Sequence, residues 1–389
     1  LPDWINSFVE ATTTIRAPEE FRRWAAIAAI AGTLERRVWT VTDVSKLYPN
    51  FYIILAGEPA SGKTNSAREA RKTLTSITGL HLGPDNPTKA SFLDQLAAAD
   101  RVNGHNVFHA MTVVCEEFGV FLKTKDDDLI SDLTTLFDNP ENYSSPRRSS
   151  TSVNVQQPTV NILACATPAV LGKFPESAWN EGFTSRVIFI YGVRPTDSRN
   201  AFKKRIDLDL TDLKAEAQTF FVDLHGEFEW DQEAQEAYNT WYNTGMHPKP
   251  DYGRLEHYIG RRDTHVMKLS MISAVSAGHG LNVTLSDFNR ARLWLLEAEI
   301  QMPNVFIAMT TPSDSKVLED LYLAVRVEHD KIEREKRKPV HNEFLYSFLS
   351  HRVTSEKIDR LILTAERTGL LRKAGFGWIP NPRPNGELK

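Results

Sequence analysis

Phe51-Tyr52-Ile53-Ile54-Leu55-Ala56-Gly57-Glu58-Pro59-Ala60-Ser61-Gly62-Lys63-Thr64 is the stretch on which the rest of the reading depends. Its first part is a continuous apolar run of strand length, the pattern of a strand covered on both faces. Its second part fills GxxxxGK[ST] without a mismatch. Glycines at both ends let the backbone wrap a phosphate closely, and the loop amides and the next helix N-terminus supply partial positive charge. Lys63 reaches the β and γ phosphates and the Thr64 hydroxyl ligates Mg²⁺. Residues 66–74 carry a helical pattern, so the motif stands between a strand and a helix, the context that separates it from a chance match. The expectation is a nucleotide site made by Gly57, Glu58, Pro59, Ala60, Ser61, Gly62, Lys63, Thr64 and Asn65, with ATP and Mg²⁺ as cofactors. The competing reading is a glycine-rich strand-to-helix turn of purely structural use.

Three more apolar runs of strand length follow, at 111–115, 160–166 and 187–191, with helix-patterned segments between them. That order predicts a parallel α/β sheet. A phosphate loop needs a metal carboxylate and a group that activates water. Glu116, at the end of the second run, is the candidate for the Mg²⁺ shell, and Glu117, one residue on, is the candidate general base. The third run ends in Thr167-Pro168, where a small hydroxyl can hold the attacking water or sense the γ-phosphate; read alone, a plain strand end is the better account. Arg186 enters the fourth run. From there it lies too far round the sheet edge to reach its own nucleotide but can reach a neighbour's, as an arginine finger that stabilises the transferring phosphoryl group.

The chain is long enough for two or three domains, with 389 residues, a hydrophobic fraction of 41% and a charged fraction of 25%. No run approaches the roughly 18 apolar residues of a membrane span, so no membrane partner is expected. It opens Leu1-Pro2 with neither an initiator Met nor a basic-then-apolar leader, which predicts a trimmed start, no export signal and a cytoplasmic location. Cys115 and Cys165 are the only cysteines and form no CxxC, which excludes a disulfide framework and a four-thiolate zinc site. They stand at matching depths in two strands and are expected to be buried, inert neighbours. The formal charge of −4 divides unevenly, the last 75 residues being net positive.

Outside the sheet the pattern is helical. Two helices are expected before residue 35, then helices at 213–221, 232–242, 265–277 and 286–302, and Thr311-Pro312-Ser313 reads as a linker. Beyond it come a helix from Ser315, helices at 342–349 and 355–368, and a short hairpin spanning 370–379, the order of a winged helix-turn-helix. Its recognition helix would present Lys357, Arg360 and Arg367, with Arg372 and Lys373 on the wing.

Taken together, Gly57 to Thr64, Cys-Glu-Glu-Phe at 115–118, Ala-Cys-Ala-Thr-Pro at 164–168 and Ser-Arg-Val-Ile-Phe at 185–189 resemble the AAA+ ATPase core. The chain looks closest to replicative helicases of phages, plasmids and mobile elements, often fused to primase-polymerases. It is similar in motif order to minichromosome-maintenance helicases. Glu116 in place of Asp and Thr167 in place of Asn are departures. The resemblance implies an α/β P-loop NTPase fold with a parallel five-stranded sheet and flanking helices. Its parts would be an N-terminal helical segment (1–48), an AAA+ core (49–200), a helical lid (201–312) and the winged helix (313–389). It implies that Arg261 or Arg262 is the phosphate-sensing arginine of the lid. It also implies that the insertion at 138–158, with Arg147 and Arg148, forms a pore hairpin for DNA. The expected activity is an ATPase acting as a hexameric helicase on single-stranded DNA, with duplex DNA and a primase or primase-polymerase as further candidate partners. The alternatives are an ATP-dependent loader or remodeller, or a nucleotide-gated initiator that does not unwind.

Overall fold

The apolar run after Phe51 forms a strand because both of its faces are covered. β1, Tyr52–Ala56, is buried at every position, and so is Pro158–Ala166, which pairs with it in parallel. The computed structural model describes residues 3–43, 45–103, 106–123, 127–146, 152–174, 182–195, 209–331, 338–350 and 355–381. In chain order the main sheet also contains β2 (Asp100–Asn103) and β3 (Asn106–Cys115). An antiparallel pair follows, β4 (Asn142–Ser145) and β5 (Val153–Gln156). Then come β6 (Pro158–Ala166) and β7 (Val187–Tyr191). The main sheet has the order β2-β3-β6-β1-β7.

Four of its five strands are parallel, and the edge strand β2 runs antiparallel to β3. This corrects the all-parallel expectation. A fourth parallel contact does exist, but it is a single bridge between Leu82 and Thr112. His81 O accepts from Thr112 N at 3.0 Å and Gly83 N donates to Thr112 O at 2.8 Å. Pro84 and Pro87 follow at once, and a proline cannot donate to a ladder. The edge is therefore taken over by β2.

Helices cover both faces. α1 (Trp4–Ala11) and α2 (Glu19–Leu34) open the chain. Thr112 and Asn161 are register partners and face α2. Asn161 Nδ2 donates to Ala31 O at 3.3 Å, and a side chain on Gly32 would meet Thr112 Oγ1 at 2.8 Å. α3 (Lys63–Thr75) packs on α2, and α4 is Lys89–Ala97. α5 (Asp127–Phe137) lies on the other face, where its Leu133 O accepts from the Tyr52 hydroxyl at 2.8 Å. From Trp24 to Leu34 every residue of α2 is buried, as a helix apolar all round must be.

The remaining helices follow the expected pattern: α6 (Thr211–Asp223), α7 (Gln232–Asn243), α8 (Arg262–Ser276) and α9 (Leu285–Asp330). Thr311-Pro312-Ser313, expected as a linker, lies inside α9. One proline removes one i to i−4 hydrogen bond, and a long helix can carry that loss. The chain divides into two compact units, Leu1–Phe306 and Ile307–Lys389. The second contains the end of α9, β8 (Val340–His341), α10 (Asn342–Ser350), α11 (Ser355–Arg367), β9 (Leu371–Ala374) and β10 (Gly377–Pro380). Its sheet has the order β8-β10-β9 over a core that includes Leu321, Leu345, Leu361, Leu371 and Trp378. No described helix is long and apolar enough to cross a membrane.

Candidate nucleotide site

The four parallel strands end together, and their carboxyl edge gathers the residues singled out in the sequence. The phosphate loop follows β1, Glu116 and Glu117 follow β3, and Thr167 follows β6. Gly57 N donates to Ala166 O at 3.3 Å, which ties the loop to the strand that carries Thr167. In open α/β sheets this edge is where ligands bind.

The loop is shaped by its two glycines. Gly62 has φ +94°, and a Cβ there would lie 2.4 Å from Arg16 O. A Cβ on Gly57 would lie 2.4 Å from Gly192 O. Neither position admits a side chain, so the backbone can close round a small anion. Gly62 is also the N-cap of α3 and no side chain caps that helix end. Its first amides are thus presented to the loop together with the positive end of the helix dipole. Lys63 Nζ donates to Gly57 O at 2.7 Å, Glu58 O at 2.8 Å and Ser61 Oγ at 3.1 Å, so its charge sits within the loop. Burial pulls its pKa below the ordinary lysine value. Thr64 is half-buried, while Glu58, Pro59, Ala60 and Asn65 are exposed.

The two acids differ. Glu117 is exposed at the start of the short helix Phe118–Phe121. Glu116 receives a two-pronged hydrogen bond from Arg68 on α3, Nε to Oε1 at 2.7 Å and Nη2 to Oε2 at 2.6 Å. Arg68 was not singled out in the sequence. Its place one turn after Lys63, facing an acid at the end of the next strand but one, appears only once the sheet order is known. Thr167 is the N-cap of the short helix Pro168–Leu171 and is half-buried. Cys115 and Cys165 are buried on neighbouring strands, and burial raises their thiols to about 11 and about 12. Among the described residues no cluster of three His, Cys, Asp or Glu could hold a metal. Thr64 and Glu116 fit Mg²⁺ only in the usual manner of a phosphate-bound ion, with few protein ligands.

Known protein families and curated proteins contain no match to this chain.

Arg186 stands at the other end of its strand, at the amino edge of the sheet. It is buried and donates to Asp138 Oδ2 at 2.5 Å and to Gly182 O at 2.8 Å. Asp138 also receives Arg261 Nη1 at 2.7 Å, and these two cations hold its carboxyl below the usual range although burial pushes the other way. Arg262 goes elsewhere. It is buried in a two-pronged pair with Glu299 at 2.6 and 2.7 Å and donates to Met246 O. None of these partners belongs to the phosphate loop. The two adjacent arginines are therefore separated by helix geometry, Arg261 toward Asp138 and Arg262 toward α9.

Beside Asp138 lies Lys268, fully buried, its Nζ donating to Asn50 O at 3.1 Å and Asn50 Oδ1 at 2.7 Å and facing the Phe137 ring at 4.0 Å. Desolvation brings its pKa down to about 7; Asp138 opposes this, while Arg261 and Arg186 add to it. The unfolded lysine keeps its proton to about 10.5, so between these values the unfolded state holds more protons. Stability should therefore rise with pH from about 7, by at most about 1.4 kcal/mol per pH unit from this group. Urea unfolding at pH 7, 8 and 9 checks this: Lys268→Met should lose that rise relative to the parent protein.

Of the expected DNA-binding residues, Arg360, Arg372 and Lys373 are exposed, and Lys357 lies on α11. The antiparallel pair β4–β5 falls between the Glu116 and Thr167 strands in the sequence, and Arg147 and Arg148 lie outside the described residues. A separate cavity of about 1000 Å³ is lined by Trp230, Tyr238, Tyr242, Glu227, Glu229 and Asp263 among others, and by no residue of the phosphate loop.

Proposed function

We propose that the chain is an AAA+ ATPase that assembles into a ring of six and uses ATP to move along single-stranded DNA and open duplex. The observation that carries this reading is the division of the candidate residues between two edges of one sheet. The phosphate loop, Glu116, Glu117 and Thr167 share the carboxyl edge, while Arg186 enters β7 at the opposite edge. A five-residue strand is about 16 Å long, so a guanidinium at its start serves another subunit's phosphates better than its own.

ATP would be held by the amides of residues 57–65 and by Lys63, with Mg²⁺ taken by Thr64 and Glu116. The ion would supply charge neutralisation at the phosphates. Glu117, exposed at the mouth, would take the proton of the attacking water, with Thr167 beside it. Arg68, on both oxygens of Glu116, would compete with the metal for this carboxylate. Arg186, now on Asp138, would stabilise charge on the neighbour's γ-phosphoryl group. Arg262 is committed to Glu299, and Arg261, which shares Asp138 with Arg186 at the amino edge, would sense a neighbour's phosphates rather than its own. The second unit, in the order helix, strand, helix, helix and hairpin, fits a winged helix that engages DNA.

A nucleotide-gated DNA-binding protein that barely hydrolyses is the second reading, favoured by the engagement of Glu116 with Arg68. Steady-state ATP turnover with and without single-stranded DNA separates the two. A motor should turn over ATP and be stimulated several-fold by the strand; turnover below detection in both conditions would reject it.

A further inference from the structure

The β9–β10 hairpin places an aromatic side chain in water at its turn. Ala374 pairs with Gly377, so Gly375 and Phe376 alone make the turn. Gly375 has φ +58° whereas Phe376 is not among the positive-φ residues, the arrangement of a tight two-residue hairpin with glycine first. Both strands are anchored in the core of the second unit through Leu371 and Trp378. Trp378 Nε1 donates to Asn342 Oδ1 at 2.5 Å. Gly377 presses so closely on β8 that a Cβ would lie 2.7 Å from Val340 O. On this support Phe376 is 91% exposed, more than any other large apolar residue described.

A single exposed apolar side chain is ordinary. What distinguishes this one is its setting. From Leu370 to Pro380 the segment has no acidic residue, and its two charges, Arg372 and Lys373, are exposed on β9 next to the turn. An exposed ring at a turn whose preceding strand carries one exposed cation on each face calls for a ligand with a flat aromatic face and anions on either side of it. A nucleotide in a strand offers a base next to a phosphate, and a base is available for stacking only when it is unpaired.

We propose that Phe376 is a stacking platform for an unpaired base of nucleic acid, with Arg372 and Lys373 on the flanking phosphates. This rests on the reading that the chain works on DNA, and it adds a preference for strands or junctions over intact duplex at this surface. Because the turn is already tight, little ordering entropy opposes the contact.

The full chain should be titrated by fluorescence anisotropy against a labelled single strand and a blunt duplex of the same sequence. Phe376→Ala and Phe376→Leu should weaken single-strand binding by about five- to a hundredfold, while Phe376→Trp should retain it. Duplex affinity should not change in any of the three. The slope of affinity against salt should stay as in the parent for Phe376→Ala and fall in the Arg372→Ala/Lys373→Ala double variant. Unchanged single-strand affinity in Phe376→Ala overturns the proposal and leaves the DNA reading standing. Equal behaviour of the Leu and Trp variants, or an equal loss on duplex, also overturns it. Failure of the parent chain to bind either DNA would remove the underlying reading instead. Melting temperatures of the variants check that an exposed turn residue has not altered folding.

Discussion

Lys63→Ala should bind ATP at least about a hundredfold more weakly than the parent chain and turn over none that can be measured. Lys63 is the one cationic side chain in residues 57–65. Its Nζ already makes three hydrogen bonds inside the loop, to Gly57 O, Glu58 O and Ser61 Oγ. Exchanging these for triphosphate oxygens yields charge-assisted bonds worth about 1.5 to 3 kcal/mol each, and two of them account for the loss. Calorimetric titration of ATP, beside a thermal melt showing a folded chain, is the measurement. Tight binding by this variant would mean that the glycine loop is only a strand-to-helix turn. Glu117 offers a contrast, because the loop keeps its shape and charge without it: Glu117→Gln should bind ATP and fail to hydrolyse it.

Arg186→Ala should lower turnover by about 10³-fold or more while ATP binding stays close to that of the parent. The variant should fold, because Asp138 keeps Arg261 as a partner at 2.7 Å and its carboxylate is not left without a counter-ion. The decisive measurement uses mixtures. Arg186→Ala subunits still carry Glu117, and Glu117→Gln subunits still carry Arg186. Where a finger from one subunit meets a base from the next, a competent pocket is rebuilt, so a mixture should hydrolyse ATP faster than either variant alone. If no ratio of the two recovers activity, Arg186 serves its own subunit or only the ion pair with Asp138. Sedimentation at the same concentrations should show an assembly larger than one chain.

The strands were legible because they are buried on both faces, which leaves continuous apolar runs such as Tyr52–Ala56 and the end of Pro158–Ala166. Helices were legible where one face is apolar or a cap is present, and Gln232–Asn243, whose N-cap Asp231 accepts from Ala234 N, begins as expected. The edge strand Asp100–Asn103 was not, since Asp-Arg-Val-Asn has no apolar run and pairs only because the parallel edge stops at Leu82. Thr311 to Ser313 misled because residue preferences describe a local cost, while a long helix is decided by its whole length. At the site, the loop carries its chemistry in a local pattern. The partners of its neighbours do not: Arg68 and Glu116 are 48 residues apart, and Arg262 and Glu299 are 37 apart. Nothing along the chain announces such pairs, and they decide which arginine is committed and which carboxylate is engaged.

The two buried thiols also have a practical side. Held protonated at neutral pH and shut away between the central strands, Cys115 and Cys165 give maleimide dyes nothing to react with. A lone cysteine introduced at an exposed position would then carry the label without removal of native residues that support the strands behind Glu116 and Thr167. The chain is ready-made for following distances one molecule at a time on an otherwise silent background.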